Sequence, residues 1–161
     1  MNKKIIAADR LAEIASDLRS QRRKLVFTNG CFDLLHLGHV RYLEAARELG
    51  DALAVGINGD ESVRELKGAG RPLNFEGARA EVIAALACVD YVVVFPDARA
   101  TRLLEQVRPE IYVKGGDYTP ASLHAEEGAV LKEIGADIHI LPLESGYSTS
   151  GLIERLRNFH G

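Results

Sequence analysis

Short apolar runs separated by longer amphipathic stretches make up this chain, and that alternation restricts its fold more than any other feature. Segments 24–28 (KLVFT), 52–57 (ALAVGI), 91–95 (YVVVF), 111–114 and 137–141 read as short strands, most of them apolar on both faces. Such strands belong in a parallel sheet covered on both sides. The intervening stretches carry helical spacing. Leu11, Ile14, Ala15 and Leu18 mark a helix over 8–19, and Val40, Leu43, Ala46 and Leu49 mark another that Gly50 ends. Further helices are expected over 75–87, with Asn74 placed to cap it, from Thr101 through Val107, over 126–134 and over 149–158. Right-handed crossovers between such strands give an α/β fold: a Rossmann-like, doubly wound sandwich with a central parallel sheet of about five strands.

The 161 residues suit one domain over 1–161, an N-terminal helix within 1–22 leading into a Rossmann-like core over 23–161. The net charge of −3, with no basic stripe beyond Arg22-Arg23-Lys24, argues against a nucleic-acid partner. Cys31 and Cys88 have no disulfide or zinc spacing, which suits a reducing cytoplasm. The apolar run near the N-terminus stops at Asp9-Arg10, too early for a signal peptide. No stretch reaches the ~20 apolar residues needed to span a bilayer, so no membrane role is expected.

The segment after the first strand carries the chemistry. It reads Gly30-Cys31-Phe32-Asp33-Leu34-Leu35-His36-Leu37-Gly38-His39. Asn29 and Gly30 make a turn, and His36 opens a helix whose first amides and dipole suit phosphate. Two histidines three apart share one side of that turn, and Gly38 between them lets a phosphate approach the backbone. Each imidazole can donate a hydrogen bond to phosphate oxygens. Taken alone, the pair also suits a helix cap and a surface residue. A metal site would need a third ligand at matching spacing; none is found, and no metal ligand is assigned.

Thr28 through His39 resembles the nucleotidylyltransferase superfamily with a His-x-Gly-His motif, and the form G-x-F-D-x-x-H-x-G-H resembles its cytidylyltransferase-like branch. Val55 through Val63, Leu66-Lys67-Gly68, Arg71-Pro72, Val113 through Tyr118 and Ser148-Thr149-Ser150 are similar to the adenylyltransferase family of ADP-heptose synthases. The similarity runs from about Leu11 to Phe159. One departure is Gly77 in the arginine-containing start of the third helix, which costs roughly 1 kcal/mol of helix propensity.

The resemblance implies adenylyl transfer from ATP, with Mg²⁺, to D-glycero-β-D-manno-heptose 1-phosphate, in making heptose precursors of the lipopolysaccharide core. It implies the stand-alone version of an enzyme often fused to a sugar kinase, with a separate heptose kinase as pathway neighbour and a possible homo-oligomer. It makes His36, His39 and Lys67 the catalytic residues. Thr28, Asn29, Gly30, Cys31, Phe32, Asp33, Gly38, Lys114, Gly115, Asp117, Ser148 and Thr149 would surround the nucleotide, and Asn58, Asp60, Arg71 and Arg79 the sugar phosphate.

Several of these residues also have purely local readings. Asp33 can stabilise a turn, Asp60 can cap a helix beginning at Glu61, Lys114 through Asp117 can be a tight turn, and one of Ser148 to Ser150 can be an N-cap. Lys67, in a glycine-flanked loop, is either a solvated lysine or a mobile one that closes on phosphates. Cys31 suits a small packed residue and Cys88 a core one. Two rival functions remain: a cytidylyltransferase acting on glycerol 3-phosphate or a similar phosphate, and a non-catalytic nucleotide-sensing module.

Overall fold

The computed structural model describes residues 2–116 and 123–159. Five parallel strands, β1 (Leu25–Gly30), β2 (Ala52–Asn58), β3 (Tyr91–Phe95), β4 (Ile111–Gly115) and β5 (Asp137–Leu141), lie in the order β3-β2-β1-β4-β5. Seven helices connect them among the described residues: α1 (Ala8–Ser20), α2 (Leu37–Arg47), α3 (Asp60–Lys67), α4 (Glu76–Ala84), α5 (Thr101–Val107), α6 (Ala125–Ile134) and α7 (Thr149–Arg157). The strand order reverses at β1, so the crevice at the carboxyl ends of β1 and β4 is the topological switch point where such sheets bind ligands.

The both-face apolar reading of the strands is explained by two cores, one on each side of the sheet. Leu25, Phe27, Ala52, Ala54 and Tyr112 pack with α1, α5 and α6, while Val26, Leu53, Val55, Ile57 and Val113 pack with α2 and α4. Central β2 is buried at every residue. The helical spacing of α1 turns Leu11, Ala15 and Leu18 inward. The amide of Ile6 donates to the carbonyl of Val92 at 2.9 Å, covering part of the outer edge of β3.

Local expectations differ from the structure in instructive places. Gly50 is not a left-handed helix terminator: α2 ends at Arg47, and a Cβ on Gly50 would stand 2.7 Å from Val26 Cγ2 and 2.9 Å from the Lys24 carbonyl. Close approach to β1 requires the glycine. Asn74 does not cap α4, whose N-cap is Phe75; its amide donates instead to the Asp33 carbonyl at 2.7 Å. Asp60 is the first residue of α3 and not its cap, which is Gly59. Lys67 is the last residue of α3, not a loop residue, because Arg64 accepts the Gly68 amide and continues the turn. Cys88 is half-buried at the rim of a core. Ser148 is the N-cap of α7, its hydroxyl accepting the Gly151 amide at 3.0 Å.

Candidate nucleotide site at the carboxyl edge of the sheet

Helix α2 begins with extended His36 as its N-cap. One turn later His39 lies against it, the two rings stacked at 3.9 Å between centroids and 29° between planes. The Nδ1 atoms of both are buried without a hydrogen-bond partner. Burial lowers the His39 pKa to about 4, assisted by the charge of His36, and burial also lowers that of His36. Both rings are therefore neutral near pH 7, compact, and short of polar partners. A buried polar atom left unpaired is costly, and an incoming oxygen or hydroxyl relieves that cost.

The shape of the surrounding loop follows from residues that flank the pair. Phe32 adopts a left-handed backbone (φ 47°), unusual for an aromatic residue, and its ring meets His39 edge-on at 5.4 Å. A Cβ on Gly30 would meet the Phe32 ring at 3.0 Å, and one on Gly38 would meet the His36 ring at 3.0 Å. At both positions a side chain would crowd a ring of the site. Tyr147, which the motifs did not single out, stacks on His36 at 6.5 Å and brings the segment before α7 to the histidines.

The first strand contributes framework. Thr28 is fully buried, 2.7 Å from the Tyr42 hydroxyl, which itself donates to the Val113 carbonyl at 3.1 Å; Thr28 must then be the donor to Tyr42. Asn29 Oδ1 accepts the Tyr112 hydroxyl at 2.8 Å, and that hydroxyl lies 3.4 Å from Lys114 Nζ. The Lys114 ammonium is held below its ordinary range first by burial; Glu127 works the other way, and the charges of Arg99 and Lys67 depress it further. Gly115 packs closely on Leu143 and Tyr42. Asp117 lies outside the described residues.

Asp33 and Arg79 tie the loops together. The Asp33 carboxylate receives Arg71 Nε at 2.7 Å, the Leu73 amide at 2.8 Å and the Asn74 amide at 2.9 Å. Burial alone would raise its pKa, but the Asn74 and Leu73 amides and the Arg71 guanidinium outweigh it and hold the carboxyl below the usual range. Arg79, with a fully buried guanidinium, donates to the carbonyls of Asn74 at 2.9 Å and Cys31 at 2.6 Å and to Asp60 at 2.8 Å. Arg79 therefore acts through the loops it joins and presents no face to a ligand. Asn58 likewise spends its amide inside the protein, on Asp97, Ala98 and Ser62.

Lys67 is exposed, yet its charge reaches both Cys31 and Lys114. Burial pushes the Cys31 thiol up, against the charges of Lys67, Arg79 and Arg71. Arg71 and Arg79 are spent on Asp33 and Asp60, so exposed Lys67 is the cation beside this loop that suits an anionic ligand. Among the described residues no group of three His, Cys, Asp or Glu could hold a metal ion. Asp33 and Asp60 are committed to Arg71 and Arg79, so these side chains do not fit a Mg²⁺ cage.

Comparison with known proteins identifies the family and the fold. Residues 27–155 match the cytidylyltransferase-like family model. The chain is 49% identical over 154 residues to the bifunctional protein HldE of Geotalea uraniireducens, covering 96% of this chain and 31% of that protein, so it spans about a third of such relatives. A crystal structure of the lipopolysaccharide core biosynthesis protein from Thermoplasma volcanium GSS1 superposes with a TM-score of 0.63 at 27% identity, covering 78% of this chain and 99% of that one. Pantoate-beta-alanine ligase from Francisella tularensis shares the fold, with a TM-score of 0.58 at 17% identity over 98% of this chain and 74% of that one.

Proposed function

The chain belongs to the cytidylyltransferase-like family of nucleotidylyltransferases, and from that premise we propose that it transfers the adenylyl group of ATP to D-glycero-β-D-manno-heptose 1-phosphate. An oxygen of the sugar phosphate attacks the α-phosphorus, a new P–O bond forms, the α–β anhydride bond breaks, and pyrophosphate leaves with the electron pair. The products are ADP-heptose and pyrophosphate. The nucleophile is already an anion, so the reaction needs no general base. The chain's task is alignment and stabilisation of developing charge.

The observation that carries this reading is the stacked His36–His39 pair at the start of α2, its Nδ1 atoms buried without partners, in a loop whose Cys31 feels the charge of exposed Lys67. The pair and the first amides of α2 would take the triphosphate and the departing pyrophosphate. Lys67, at the end of α3 beside Gly68 (φ 92°), would swing over the phosphates. Asn29, Gly30 and Phe32 would border the nucleoside, with Ser148 and Thr149 at the opposite wall. Any Mg²⁺ would arrive with ATP, adding charge neutralisation between its phosphates.

Pyrophosphate release tests the proposal. Turnover is expected with ATP and heptose 1-phosphate. Turnover confined to CTP with glycerol 3-phosphate overturns the substrate assignment, and nucleotide binding without turnover on any pair overturns catalysis.

A further inference from the structure

A buried asparagine and a buried glutamate converge on one loop that no sequence motif distinguished. Asn58, at the end of β2, is 3% exposed and its Nδ2 donates to the Asp97 carbonyl at 3.2 Å, with the Ala98 carbonyl at 3.5 Å. Glu127, in the first turn of α6, is 4% exposed, and its Oε1 accepts the Ala100 amide at 2.9 Å. The two side chains fix the backbone on both sides of Arg99. Burying an amide and a carboxylate is costly unless their hydrogen bonds are recovered. Here both recover them by holding the same four-residue stretch, 97–100.

Arg99 itself is exposed and forms no ion pair among the described residues. The loop's anchors show where it stands. The chain leaves β3, is held at the end of β2 by Asn58, and is held again by the helix that follows β4. It therefore runs along the carboxyl edge of the sheet, on the α5–α6 side, opposite α2. The charge of Arg99 reaches Lys114 at the end of β4. Like charges gathered in this way repel one another until an anion joins them.

In-line displacement separates the two reactants' phosphates. The leaving pyrophosphate and the attacking oxygen lie on opposite sides of the α-phosphorus. If the leaving side is at the α2 histidines, the attacking phosphate enters from the side of Lys114. We infer that Arg99 binds the anionic phosphate of the acceptor substrate, and that Asn58 and Glu127 are positioning residues that hold it there. The inference rests on the adenylyl-transfer reading for the identity of the acceptor, not for the presence of an anion subsite.

Titration calorimetry of the full chain with heptose 1-phosphate and, separately, ATP decides it. Arg99→Ala should weaken heptose 1-phosphate about tenfold to hundredfold, the effect of losing one charge-assisted contact, and leave ATP affinity unchanged. Arg99→Lys should recover part of the loss. In the steady state the acceptor KM should rise while the ATP KM stays constant. Asn58→Ala should also raise the acceptor KM, and should add little once Arg99 is already alanine, the coupling expected of a residue acting through another. Unchanged acceptor binding in Arg99→Ala overturns the inference, as does an equal loss of ATP affinity.

Acceptor binding that depends on Arg99 without pyrophosphate release keeps the inference and overturns the activity. If the wild type binds no heptose 1-phosphate, inorganic phosphate is the probe. Binding weakened by Arg99→Ala then supports the subsite with a different acceptor, and no binding or insensitive binding overturns it.

Discussion

Arg71 donates its Nε to the Asp33 carboxylate at 2.7 Å, joining the loop before α2 to a segment 38 residues away. Two backbone amides of that segment reach the same carboxylate, so Asp33 serves as the seat on which residues 71–74 rest. Asp33→Ala should lower stability by roughly 1–2 kcal/mol, since it leaves an arginine and two part-buried amides without their acceptor, and urea unfolding measures this. The pH dependence has a definite sign. The native carboxyl titrates below its ordinary value of 3.8, so its contribution is complete above that value and is lost as pH falls through the lower native one. Asp33→Asn should flatten that part of the acid limb.

His39 supplies a second pH window, at higher pH. Its pKa falls from 6.5 to about 4 in the folded protein. Above 6.5 the ring is neutral folded or unfolded and contributes nothing. As pH falls from 6.5 toward 4, only the unfolded chain takes up the proton, and stability declines by up to about 3 kcal/mol. His39→Gln should remove that decline from denaturation midpoints taken across the window. A slope that survives the substitution contradicts a buried neutral ring. The same change should lower kcat by ~10²–10³, the range for losing one donor to developing charge.

Arg79 should behave as a keystone of the fold. Arg79→Ala strands the Asp60 carboxylate and the Cys31 and Asn74 carbonyls, and should cost about 3–5 kcal/mol. Arg79→Lys should rescue little, because a single ammonium does not span the three directions the guanidinium covers. Thermal unfolding of the two variants at similar midpoints would support this, and a near-native lysine variant would refute it.

Gly38→Ala should separate fold from activity. Its Cβ would press on the His36 ring at 3.0 Å, a side chain that can rotate away, while alanine favours the helix by up to about 1 kcal/mol. The melting temperature should hold or rise, and kcat should fall at least tenfold as the histidine stack opens. Equal activity would mean that the stacked arrangement has no catalytic consequence.

The strands and most helices were readable because burial on both faces and helical spacing are local patterns. The His36–His39 pair was readable for the same reason, its members sharing one helical turn. A cap among Ser148, Thr149 and Ser150 was readable because capping is also a short-range chemistry, and the structure makes it Ser148. What the sequence hid is long-range pairing. Arg79 matched a substrate-facing pattern, yet its partners include a carbonyl 48 residues away, and nothing near it in the chain signals that. Asn74 looked like a cap because its contact with Asp33 lies 41 residues distant. Gly50 reads as a helix terminator, and only the packed structure shows the glycine answering to Val26 and the Lys24 carbonyl. Tyr147 and Arg99 had no motif, and each matters through what it lies beside.

The loop held by Asn58 and Glu127 also bears on how such a chain can change over time. Its shape depends on two interior residues that grip main-chain atoms, and not on the side chain displayed between them. Position 99 can thus vary while the loop keeps its course. A lineage could exchange one acceptor for another by a single substitution there, with no new fold and little loss of stability. Natural variation in acceptor preference should accordingly concentrate at this position, while the two gripping residues stay fixed.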